Sequence, residues 1–215
     1  MRRGSRCAVA ICLLGLGCRS AAPARTPGGA GPSAERAASA VAAAAGDCAS
    51  QVKAFREKRF ADLRGLPAAC RLNDVATELG VRPGASSGWL GEQQRQLSFQ
   101  VAVVPGFAEP IRVWYDQGFV LLLDAEYPEP PGDWAALRTA LGPPEVKLDY
   151  RWGVVNVVGG EWFYPARGLT IFLTPALDKV IRVATFAPTP LATYRQSLRP
   201  VSQLEERPVR PGGGP

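Results

Sequence analysis

Apolar positions along this chain change their spacing several times, and each change marks an element. From Asp47 onward, Val52, Phe55 and Leu63 recur among Lys53, Arg56, Glu57, Lys58 and Arg59. That is the pattern of a helix with one buried stripe, and Asp47 stands where a helix cap belongs. Two further stretches show helical spacing: Leu72-Asn-Asp-Val75-Ala-Thr-Glu-Leu79-Gly80 and Trp134-Ala-Ala-Leu137-Arg-Thr-Ala-Leu141-Gly142. Each carries apolar residues at i, i+3 and i+7, and each stops at a glycine followed closely by proline. After each of them the period falls to two, as strands require. Phe99, Val101 and Val103 alternate with Ser98, Gln100 and Ala102, then come Ile111, Val113 and Tyr115, then Phe119, Leu121 and Leu123. After the later helix, Leu148, Tyr150, Trp152 and Val154 form one stripe. Trp162 with Tyr164, then Leu169, Ile171 and Leu173, then Ile181, Val183 and Thr185 follow it.

The two helical stretches align at a constant offset of 62 residues. The hairpin around Trp114-Tyr115-Asp116-Gln117-Gly118-Phe119 aligns with the one from Trp162 to Leu169 at an offset of about 50, so the earlier copy holds a longer loop, at 83–95 or 104–110. A helix followed by an antiparallel meander, twice over, predicts an α+β domain across 47–199 with helices on one sheet face. Its repeats fall at about 68–130 and 131–190, preceded by the first helix. The segment from Leu137 to Phe186 adds a family likeness. A helix ending in Leu141-Gly142 and Pro144, a Trp162-x-Tyr164 strand, and Leu169, Ile171 and Leu173 resemble the SmpA/OmlA-type outer-membrane assembly lipoproteins. They also resemble the tandem-repeat β-lactamase inhibitor proteins. The resemblance implies a fold and a protein-binding role, and it carries over no catalytic residue.

The ends differ in kind from this domain. Arg2, Arg3 and Arg6 precede an uncharged apolar run from Cys7 to Leu16, too short to span a bilayer, which gives residues 1–17 the build of a secretory signal. With small residues leading to a cysteine, it resembles a bacterial lipoprotein signal. That likeness implies acylation of Cys18, palmitate among the chains, and attachment to a membrane through the N-terminal lipid. Arg19 lacks the aspartate associated with inner-membrane retention, which points to the outer membrane, facing the periplasm. The alternatives are a secreted protein and an uncleaved anchor. Residues 18–46 are Ala, Gly, Pro, Ser and a few charges, too poor in apolar surface to fold. As a coil they would span roughly 30 Å. Residues 200–215 read as a frayed tail.

Charge and composition then exclude whole classes of chemistry. The net charge of +6 drops to +3 once Arg2, Arg3 and Arg6 leave with the signal, and the arginines are interleaved with acids rather than clustered. No nucleic-acid face follows from that pattern. The chain has no histidine, so no Ser-His-Asp or Cys-His system and no imidazole-dependent zinc site can be built. No cofactor and no metal are expected. Of five cysteines, Cys48 and Cys70 alone remain beyond the signal and the lipid site, and an oxidising compartment favours one disulfide between them. The alternative is two separate buried thiols.

Three candidate sites remain. Gly84-Ala85-Ser86-Ser87-Gly88 matches a hydrolase serine motif, but it sits in a loop with no base, so Ser86 reads as a turn residue. Asp124 and Glu126 share one strand face and could act as a carboxylate pair, although a charged solvent face that blunts aggregation explains them as well. Trp114 has the opposite parity to Ile111, Val113 and Tyr115, and aromatic residues on an outer face are common interface anchors. Trp114, Trp162 and Tyr164 are therefore the candidate partner-binding residues, the alternative being a further helix covering that face. Together these readings predict an envelope lipoprotein, not an enzyme, that binds an envelope protein as an accessory or scaffold module. A carboxylate-dependent envelope hydrolase is the alternative.

Overall fold

The computed structural model describes residues 47–81, 84–126, 128, 134–152 and 157–200. The predicted signal, the linker with Cys18, Val154 and the tail beyond Pro200 lie outside the described residues. Helix α1 spans Cys48–Arg56, and the Asp47 carboxylate accepts a hydrogen bond from the Ser50 amide at 3.0 Å, satisfying one of the orphan donors of its first turn. Hydrogen bonds from the Ser50 hydroxyl and then its amide hold the Asp47 carboxyl below its ordinary range. A 3-10 turn at Phe60–Asp62 follows. Cys48 and Cys70 form a disulfide, which ties the start of α1 to the residues just before helix α2, Leu72–Leu79. Helix α3 is Trp134–Leu141. Both α2 and α3 end at glycines with positive φ, Gly80 at 65° and Gly142 at 74°, a conformation that a side chain disfavours.

Eight strands make one antiparallel sheet: β1 Ser86–Leu90, β2 Arg95–Ala102, β3 Ile111–Asp116, β4 Phe119–Glu126, β5 Val146–Trp152, β6 Val157–Tyr164, β7 Leu169–Leu173 and β8 Val180–Phe186. Their spatial order is β1-β2-β3-β4-β8-β7-β6-β5. The fold is α+β, as the alternating periods predict. Each helix, α2 and α3, leads into four consecutive strands, and the two meanders meet where β4 pairs with β8.

The helices pack on one face of the sheet. Val52, Phe55, Phe60 and Leu63 meet Ile111, Val113, Leu123, Ile171 and Val183 in one core, with Leu137 and Leu141 of α3 joining it. The opposite face has a cover of its own. Residues 191–200 form a strap, one α-helical turn at Leu191–Thr193 running into a π-helical turn at Tyr194–Leu198. The Tyr194 ring is fully buried there, stacked 4.6 Å from Phe163 and 5.0 Å from Phe186, beside Leu90, Leu97, Trp114 and Leu122. Below, these are the helical face and the strap face.

Two expectations about the strands need correction. Residues Ser86–Leu90, read as loop, are the edge strand β1, paired in register with β2 from Ser86 opposite Phe99 to Leu90 opposite Arg95. The run Ser-Ser-Gly-Trp-Leu has no period-two pattern of its own, and the strand exists because β2 templates it. The second correction concerns β2, which ends at Ala102. Ala102 is buried and Val103 is 55% exposed, so the apolar stripe does not run on through Val103.

Candidate functional site

The strap face holds most of the buried charge. On β3, β4 and β8, Arg112, Asp124, Glu126 and Arg182 form one ion-paired cluster. Arg112 reaches Asp124 at 2.6 Å and Glu126 at 2.7 Å, and Arg182 contacts Asp124 at 3.5 Å and pairs closely with Glu126. The registers Arg112 opposite Asp124 and Glu126 opposite Arg182 bring these side chains together. Burial alone would raise the Glu126 carboxyl, but the charges and hydrogen bonds of Arg182 and Arg112 outweigh it and hold it below its ordinary range. The same carboxylates, working against burial, hold Arg112 more firmly protonated than a free arginine.

Asp124 and Glu126 therefore do not form a solvent face. Asp124 is fully buried. Strand parity puts both acids on one face, but the two arginines pair with both, and Glu126 alone keeps part of its side chain exposed. A glycosidase acid needs a raised pKa to donate its proton, and the Glu126 carboxyl is shifted the other way. These acids clamp structure: Arg182 also donates to the Pro200 carbonyl at 3.1 Å, which fixes the end of the strap. A second buried acid, Glu161 on β6, accepts from Tyr194 Oη at 2.5 Å, Thr170 Oγ1 at 3.1 Å and Arg199 Nε at 2.8 Å. Burial and the nearby Glu161 charge push the Tyr194 hydroxyl well above its usual pKa.

The three aromatic residues singled out by sequence are also buried. Trp114 is 5% exposed, packed 4.7 Å from Phe99 under the strap, so the parity argument placed it on the correct face and that face is covered. Trp162, 8% exposed, packs edge-on 5.1 Å from Trp134 beneath α3. Tyr164 is 2% exposed and donates to the Gly142 carbonyl at 3.1 Å, stabilising the end of α3, while burial raises its pKa to about 12. None of the three offers an interface on the folded domain. The small exposed part of Trp162 borders a concavity of about 330 Å³ between Arg138, Pro143, Pro144 and Lys147, with the Lys147 ammonium 5.5 Å above its ring.

Among the described residues, one exposed aromatic carries no mark in the sequence pattern. Trp89 on β1 is 52% exposed. It pairs with Gln96, Ser87 pairs with Ser98, and Ser98 pairs in turn with Tyr115 on β3. These side chains lie on the helical face at the β1 corner of the sheet; Ser87 and Gln96 are exposed, and Ser98, Gln100 and Tyr115 half-buried. Ser86 is exposed on the edge strand, with the strand following it rather than preceding it, the reverse of a nucleophile elbow.

No family model, curated protein or solved structure matches this chain. Among the described residues, no group of three or more His, Cys, Asp or Glu side chains could hold a metal ion, and no helix is long and apolar enough to cross a membrane. The candidate functional surface is the open corner around Trp89. A tryptophan inside a Gly/Ser-rich run has no periodic context, so its only sequence signal was its residue type.

Proposed function

We propose that this protein is an envelope lipoprotein, held to the outer membrane through a lipid on Cys18, whose folded domain binds another envelope protein as an accessory or scaffold module. The observation that carries the binding role is the open corner of the helical face. Trp89 and Tyr115 supply large, stiff contact area there, while Ser87, Ser98, Gln96 and Gln100 supply adaptable hydrogen bonds. Tryptophan and tyrosine dominate interface hot spots, and tyrosine beside serine is the composition of adaptable recognition surfaces.

The linker of residues 18–46 fits this role, since a coil of that length would carry the domain roughly 30 Å from the bilayer. The likeness to SmpA/OmlA-type lipoproteins and to tandem-repeat inhibitor proteins, with its two helix-and-meander repeats, agrees with a binding module.

Co-purification from detergent-solubilised envelopes tests the reading. Wild type should retain a discrete protein that Trp89→Asp loses while keeping the wild-type circular dichroism spectrum. Cys18→Ser should release the protein from the membrane or leave a longer unprocessed form. A Trp89→Asp variant that retains the same partner at the same yield overturns the assignment of the site. A Cys18→Ser variant that fractionates and migrates as wild type overturns the lipid anchor.

A further inference from the structure

Two Arg-Gly steps, far apart in sequence, meet in the fold. Arg64-Gly65 follows the 3-10 turn at Phe60–Asp62, and Arg167-Gly168 closes the turn between β6 and β7. Both glycines have positive φ, 85° at Gly65 and 51° at Gly168. A Cβ on Gly168 would collide with the Phe186 carbonyl oxygen and lie 3.1 Å from Gly65 Cα, and one on Gly65 would lie 2.9 Å from the same oxygen. The Leu66 amide donates to that carbonyl at 3.0 Å, and the Phe186 amide donates to the Gly168 carbonyl at 2.9 Å. Residues without a side chain let the three segments come this close. The arginine before each glycine is thereby brought beside the other.

Both guanidiniums turn to one acceptor. Arg64 Nη1 donates to the Ala61 carbonyl at 3.0 Å and to the Leu63 carbonyl at 2.9 Å. Arg167 Nη1 donates to the same Ala61 carbonyl at 2.8 Å. The shared oxygen keeps the two Nη1 atoms within about 5.8 Å, the 2.8 Å and 3.0 Å bonds laid end to end. Like charges this close repel, and backbone carbonyls hold them together. Elsewhere on the domain arginines meet carboxylates, as Arg59 meets Asp62 and Arg95 meets Asp116. Asp62, next to the shared carbonyl, is therefore already taken. Among the described residues no carboxylate pairs with Arg64 or Arg167, and Nε and Nη2 of both make no hydrogen bond. Burial, and then the Arg64 charge, lower the pKa of Arg167. Arg64 is exposed and Arg167 half-buried, so the pair is open to solvent.

We propose that Arg64 and Arg167 form a binding site for a terminal phosphate group, a phosphomonoester carried by a soluble molecule or by a lipid headgroup. A carboxylate brings one charge and two oxygens, which a single guanidinium fork satisfies. A phosphomonoester brings about −1.5 to −2 of charge at neutral pH and three strong acceptor oxygens, which matches two cations with donors to spare. Arginine suits this task because its planar fork meets phosphate oxygens in pairs. The site lies at the turn between β6 and β7, in the half of the sheet away from β1. It does not depend on the binding role assigned to the Trp89 corner.

Nuclear magnetic resonance on the full mature chain carrying Cys18→Ser tests it, at pH 7 and constant ionic strength, as inorganic phosphate replaces chloride. The Nε–Hε signals of Arg64 and Arg167 should move to saturation, while that of Arg95, paired with Asp116, stays in place. Arg64→Gln and Arg167→Gln should each weaken phosphate binding at least about tenfold, as loss of a charge-assisted hydrogen bond implies. Co-sedimentation with phosphatidylcholine vesicles, with and without phosphatidic acid, then identifies the source. Retention by phosphatidic acid that Arg64→Gln loses assigns a lipid headgroup; retention that it keeps, or none, assigns a soluble ester. Signals of Arg64 and Arg167 that stay in place or shift without saturating overturn the proposal. Variants that bind phosphate as wild type does overturn it too.

Discussion

Loss of Arg182 should be costly on the strap face. Its side chain is almost fully buried, pairs with Asp124 and Glu126, donates to the Pro200 carbonyl and lies 5.8 Å from the Phe172 ring centre. Arg182→Met fills a similar volume but leaves Asp124 and Glu126 to share Arg112 alone. Breaking a buried ion pair from one side costs about 3–5 kcal/mol, because the remaining charge stays buried without its partner. Losing the bond to Pro200 adds about 1 kcal/mol for a neutral hydrogen bond, and the two effects are not simply additive. The double variant Arg182→Met/Asp124→Leu removes one charge of each sign and leaves Arg112 with Glu126, so it should regain most of that loss, a coupling of about 2–4 kcal/mol. Urea unfolding of the Cys18→Ser form at pH 7, followed by circular dichroism, measures the losses in Arg182→Met, in Asp124→Leu and in the double variant. An Arg182→Met variant that loses less than about 1 kcal/mol, or a double variant whose loss is the sum of the singles, would refute the reasoning.

Further outcomes follow from other parts of the molecule. Glu126 has its folded pKa lowered, so the stability it adds is fully present above its unfolded value near about 4.3 and disappears as pH falls through the folded value; urea midpoints between pH 7 and pH 3 should fall less steeply in Glu126→Gln. Replacing Cys48 and Cys70 together by alanine should lower stability by about 3 kcal/mol, the chain-entropy value for this loop, read as a shift in urea midpoint. A Cβ at Gly88 would lie 2.8 Å from the Trp114 ring, so Gly88→Ala should cost about 1–3 kcal/mol by overpacking, whereas Ser86→Ala, two residues away and exposed, should stay within about 0.5 kcal/mol. Leu141→Ala, on the buried side of α3, should cost about 2–5 kcal/mol, measured in the same unfolding assay.

What was legible in the sequence was whatever depends on local rules. Asp47 before α1, and Gly80 and Gly142 after α2 and α3, announce helix ends through backbone geometry that any context preserves. The period-two stripes from Ile111 to Leu123 and from Leu169 to Val183 announce strands, since one face of each had to be core. The pairing of Cys48 with Cys70 followed by elimination, given an expected oxidising compartment. What escaped depends on contacts between distant segments. β1 has no pattern of its own and forms on β2. Asp124 and Glu126 share a face by parity, but parity does not reveal whether that face meets water, and here residues 191–200 return from the far end of the chain to cover it. That strap is two short turns, too brief for helical periodicity to register. Trp114 was assigned to the right face and to the wrong environment for the same reason, and Trp89, an exposed tryptophan, stood in a run with no period to mark it.

The claim that the Trp89 corner is a protein-binding surface is tested most directly by site-specific photocrosslinking in intact cells. A photoreactive residue at Ser87, exposed beside Trp89, is compared with one at Lys53, on the exposed side of α1 away from the corner. The account predicts one discrete, heavier adduct from position 87 and none from position 53. No adduct at 87, or equal adducts at both positions, would contradict it.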